Sequence, residues 1–117
     1  MSYKYTIGIL CEYLIIFVFI IIGRKILNHR LKIKGSRTEI DIISYAGGIT
    51  FITEVKFRVI KNNALQAWNP RQAQKLMKVA QLFKNVNIEY IACWFVGYKR
   101  FIINIYDIPN WRNSCLL

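Results

Sequence analysis

Asp41, Glu54 and Lys56 are the residues whose types and spacing can do chemistry. The two acids sit on runs of strand-like composition, 39–46 and 49–58, both rich in Ile, Val, Phe and Thr. Gly47 and Gly48 lie between them, and a tight two-residue hairpin turn needs positive φ at its centre. Such a turn sets Ala46 opposite Ile49, so Asp41 falls opposite Glu54 and Glu39 opposite Lys56. Directly opposed residues have Cβ atoms about 4.5–5.5 Å apart. Two carboxylates at that distance repel unless a cation joins them. A divalent ion, Mg²⁺ or Mn²⁺, does so with few carboxylates and several waters. Lys56 follows Glu54 on the same face, where its ammonium can orient an attacking water or offset charge on a phosphoryl transition state. Together these groups suit phosphodiester hydrolysis. The register decides the matter, because a three-residue turn would separate the acids.

The bland alternative is a solvated hairpin carrying a cross-strand Glu–Lys pair. Two features weigh against it. The chain has only six acidic residues, and Glu39, Asp41 and Glu54 are three of them. Strict alternation puts Glu39, Asp41, Ile43 and Tyr45 on one face of their strand, and Thr50, Ile52, Glu54, Lys56 and Arg58 on one face of the next. The other faces carry Ile40, Ile42, Phe51, Val55 and Phe57, which suits a central sheet covered by helices.

The elements that must position these residues follow from pattern and punctuation. Residues 3–22 read as a helix, weakened by six β-branched residues between Ile15 and Ile22, so that a buried strand stays open for part of it. Gly23 is a plausible stop. Residues 25–34 mix apolar and basic side chains, as a protected edge strand does. Asn69 followed by Pro70 opens a second helix, with Ala73, Leu76, Met77, Ala80 and Phe83 as its core stripe. Strands over 90–96 and 101–106 complete the order α-β-β-β-α-β-β. The expected class is α/β, an α+β sandwich with a mixed central sheet flanked by helices. One domain over 1–108 with a loose tail over 109–117 is expected.

Composition names the partner class. Seventeen basic against six acidic residues give a net charge of +11, which calls for an anionic partner, nucleic acid or a membrane surface. The strongly apolar run 13–22 is shorter than the roughly 20 residues of a spanning helix, and Glu12 adjoins it. No stable membrane insertion is therefore expected, though a membrane-anchored basic protein is a third reading. Three widely spaced cysteines with no CxxC pair read as reduced thiols in a cytoplasmic protein. Arg71, Lys75 and Lys78 share a helix face and, with Arg58, are candidate phosphate contacts. Trp68 is a candidate for base stacking. Trp94 reads as core, and His29 as a surface residue without a visible partner. A homodimer is left open.

The segment from Thr38 to Arg58, TEIDIISYAGGITFITEVKFR, resembles the core motif of the YraN-like bacterial proteins. That family's pattern is a Gly-Glu-Ile-Asp strand, a short turn, then a Val-Glu-Val-Lys strand. Glu39, Ile40, Asp41, Glu54, Val55 and Lys56 match, while Thr38 stands for the glycine and Thr53 for a valine. Gly8 and Glu12 resemble a first-helix glycine and glutamate. The helix from Asn69 resembles the family's Pro-Arg-Lys-Gln-Arg-Arg-Leu helix, with Gln72 in place of its lysine. The resemblance covers roughly residues 8–107. It implies membership of the PD-(D/E)XK nuclease superfamily, with a restriction-endonuclease-like core and metal-dependent cleavage of DNA, branched or damaged DNA included. It further implies the Val55 carbonyl as a ligand beside Asp41 and Glu54, and Glu12 and Glu39 as supports of the site. A binding module that keeps the fold without turnover is the alternative.

Overall fold

The computed structural model describes residues 3–32, 38–97 and 100–108, with side chains from Thr6 onward. The tail expected over 109–117, and the end of the strand expected over 25–34, lie outside the described residues. The elements run α1(Tyr3–Ile21), β1(Lys25–Lys32), β2(Glu39–Ala46), β3(Ile49–Phe57), α2(Lys61–Gln66), α3(Pro70–Ala80), β4(Val86–Val96) and β5(Arg100–Ile108).

The local signals act as their chemistry requires. Gly47 and Gly48 adopt φ of 59° and 80°, the two positive values that a primed turn needs. The Asn69 side chain accepts from the Gln72 N–H at 2.9 Å, and Pro70 follows at the first helical position. Residues 3–21 are wholly helical despite their β-branched run. Cys11, Ile15 and Phe19 recur every four residues and are buried, and packing of such a stripe outweighs a weak propensity. Helix α2 was not expected. Its Ala64 is fully buried against Tyr90, Ala92 and Trp94, and six residues are too short for periodicity to announce them. Strand β4 begins four residues before the expected start at 90, because Val86 and Ile88 already face the core.

The five strands lie in sequence order across one sheet. β3 and β4 are parallel, and the other neighbouring pairs are antiparallel. The connection between β3 and β4 carries α2 and α3 over one face, as a parallel crossover must. On that face Ile40, Ile43, Ile52, Val86 and Ile88 pack on Leu76, Val79 and Ala80. On the other face Ile42, Val55, Phe57, Ile91 and Cys93 pack on Cys11, Ile15 and Phe19 of α1. Along the outer side of α1 Leu10, Tyr13, Leu14, Phe17, Val18 and Ile21 are exposed among the described residues, Tyr13 meeting the His29 ring edge-on. Among the described residues no helix is long and apolar enough to cross a membrane.

Candidate metal centre

The β2–β3 ladder runs from Ala46–Ile49 to Ile42–Thr53, the register of a two-residue turn. One step further the side chain of Asp41 replaces the ladder, its Oδ2 accepting from the Val55 N–H at 2.8 Å. Alternation also breaks here. Ile40 packs in the same cluster as Ile43, whereas Ile42 belongs to the opposite face. Asp41 therefore sits where β2 changes face, and the expectation that Glu39, Asp41 and Ile43 simply share a side is corrected.

Glu54 is buried, 2% exposed, on the strand next to Tyr90. Its Oε1 lies 3.1 Å from Lys56 Nζ, and its Oε2 is buried without a hydrogen-bond partner among the described residues. Burial raises the Asp41 carboxyl to about 8, and the negative charge of Glu54 adds to the rise. Burial raises Glu54 as well, against the pull of Lys56. An orphaned carboxylate oxygen beside a second carboxyl is a donor set that a hard divalent cation satisfies. The residues thus fit such an ion. Among the described residues no three His, Cys, Asp or Glu side chains are gathered in one ligand set, so the protein ligands would be these two carboxylates. Val55, the expected backbone ligand, lines the same cleft.

That cleft, about 220 Å³, opens between the N-terminal half of α1 and the ends of β1 to β3. Gly8, Glu12, Arg30, Asp41, Lys56 and Arg58 line it. Glu12 is 7% exposed, and its charge raises both Asp41 and Glu54. Its Oε1 and Oε2 accept from Arg30 Nε and Nη2, each at 3.2 Å, and Oε1 lies 3.0 Å from His29 Nε2. His29 thus has a carboxylate partner, contrary to the surface reading. Arg30 has φ of 59°, the only non-glycine positive value among the described residues. For an L-residue that conformation costs about 1–2 kcal/mol.

Not every expected residue converges. Glu39 lies at the start of β2 opposite Lys32, not opposite Lys56, because the β2–β3 ladder has already ended. Arg71, Lys75 and Lys78 are exposed on α3, on the sheet face away from α1. Trp68 stacks on Tyr90 with ring centroids 5.2 Å apart. Trp94 is core, as expected. Sequence reasoning passed over the Arg24–Glu89 pair. Arg24 donates to Glu89 at 2.7 and 2.8 Å, Thr53 Oγ1 adds a bond at 2.9 Å, and the guanidinium lies 3.7 Å from the Phe51 ring centre. An acid inside the apolar run of β4 was its available signal.

The family model of the uncharacterised protein family UPF0102 matches residues 11–104. The chain belongs to that family. Membership in UPF0102 agrees with the YraN-like resemblance, and the match contains Glu12, Asp41, Glu54 and Lys56. No curated protein matches the chain. UPF0102 membership names no reaction, so the chemistry must be argued from the cleft.

Proposed function

We propose that this UPF0102 protein is a metal-dependent nuclease that hydrolyses phosphodiester bonds in DNA, with Mg²⁺ or Mn²⁺ as cofactor. The observation that carries the reading is buried Glu54 beside half-buried Asp41, with Asp41 and Lys56 lining a cleft rimmed by Arg30 and Arg58. The PD-(D/E)XK resemblance points the same way. Asp41 and Glu54 would hold the ion, which would lower the pKa of a bound water and polarise the phosphate. Lys56, held by Glu54, would donate to the attacking water or to a phosphoryl oxygen. The Asp41 side chain is fixed by the Val55 N–H, so it needs little rearrangement. Arg58, anchored by its own donation to the Phe57 carbonyl at 2.7 Å, would meet the backbone of the nucleic acid.

The test is cleavage of linear, single-stranded and four-way-junction DNA, with and without Mg²⁺. Asp41→Asn and Lys56→Ala should each reduce cleavage at least about 100-fold while the protein stays folded. A wild type that cleaves nothing and gains no melting temperature from Mg²⁺ or Mn²⁺ would remove the enzyme reading. The second reading, a binding module without turnover, is favoured by one observation. Glu12, the third carboxylate at the cleft, is engaged by Arg30 and His29.

A further inference from the structure

We infer that Arg30 is a phosphate-anchoring residue of the cleft, aimed by its own left-handed backbone and held ready by Glu12; this rests on the nucleic-acid reading above. Three independent features of the fold converge on it. The first is conformation. Arg30 sits in edge strand β1, where regular alternation would give His29 and Leu31 the same face. His29 instead reaches Glu12 of α1, while Leu31 packs against the cluster on the α3 side. The positive φ at Arg30 is where that switch happens. A strained backbone that survives in a strand, with no glycine to ease it, points to a role for the side chain it aims.

The second is position. Arg30 lines the same cleft as Asp41, Lys56 and Arg58, so three cationic side chains surround one acid-lined opening. The third is geometry. Arg30 presents Nε and Nη2 to the two oxygens of Glu12, a planar fork on a carboxylate. A phosphodiester offers the same pair of oxygens to a guanidinium, and a lysine ammonium cannot reproduce the fork. Glu12 is thus a stand-in that keeps the fork ordered until a phosphate competes for it. The side chain is 33% exposed at the cleft, which leaves it within reach of such a competitor.

The test uses the full chain, a fluorescent DNA oligonucleotide, and Ca²⁺ to suppress turnover. Arg30→Lys keeps the charge and the backbone, and Arg30→Gly removes the side chain and its strain together. Both should weaken oligonucleotide binding about tenfold or more. The slope of affinity against salt should fall by about one for Arg30→Gly and stay for Arg30→Lys. If Arg30 only neutralises Glu12 within the fold, Arg30→Lys will bind as the wild type does, and that result overturns the inference alone. Should Arg30→Gly fail to fold, Arg30→Lys still decides. A wild type that binds no DNA at all overturns this inference and the nucleic-acid reading with it.

Discussion

Asp41 carries an electrostatic cost that can be measured without any substrate. Its carboxyl titrates at about 8 in the fold, against 3.8 for an ordinary aspartate. Between those values the folded chain keeps a proton that the unfolded chain has released. Stability therefore falls as pH rises from about 4 to about 8, by at most about 1.4 kcal/mol per pH unit for one group. Glu54, also raised, acts in the same direction. Asp41→Asn should flatten this decline and leave the metal-free protein at least as stable as wild type at pH 7. Denaturant titrations at pH 5, 6, 7 and 8 check it, and a variant less stable than wild type at pH 7 would make Asp41 a structural residue. Mg²⁺ must displace the same proton, so its gain in melting temperature should grow from pH 6 to pH 8 and vanish in Asp41→Asn. The acids and Lys56 were legible because residue type and a two-glycine turn fix a register. Arg30 and His29 were not, because a positive φ at an arginine leaves no trace in composition.

Helix α1 shows what pattern reveals of an element and what it hides. Its existence was legible from apolarity, and its two sides were not, since both are apolar. Burial separates them: Phe19 is 1% exposed and Phe17 is 60% exposed, two residues apart. Phe19→Ala should cost about 3–5 kcal/mol, the usual loss for a buried phenylalanine. Phe17→Ser should change stability by no more than about 0.5 kcal/mol, as exposed positions do. Chemical denaturation of both variants measures the contrast, and comparable losses would mean that the outer side of α1 is covered in the folded protein. The strands were legible to within a few residues because β-branched runs and glycines bound them. The short helix α2 was missed, since a six-residue element is defined by what it packs on.

At the scale of the molecule, the cleft and the basic face of α3 lie on different sides of the sheet. Whether one nucleic acid reaches both is a question about counterions. Neutralising Arg71, Lys75 and Lys78 together should lower the salt slope of DNA binding by up to about three units if each meets a phosphate. A slope equal to that of wild type would mean that α3 presents only a solvated charge. The order of the strands also dictates a sequence of events in folding. β2 and β3 are joined by a two-residue turn, whereas the parallel partner β4 returns only after α2 and α3. Local hairpins close in microseconds, and long crossovers close later against a larger loop entropy. The expectation is that Asp41 and Glu54 meet early, in water, and lose that water when β4 and α1 settle over them. The late step bears the desolvation of the acids, so a divalent ion captured by the hairpin should hasten refolding as well as slow unfolding. Stopped-flow refolding with and without Mg²⁺ tests this. A metal effect confined to the unfolding limb would mean that the acids come together only after the barrier. The turn that builds the site would then also time the chain's passage to the native state.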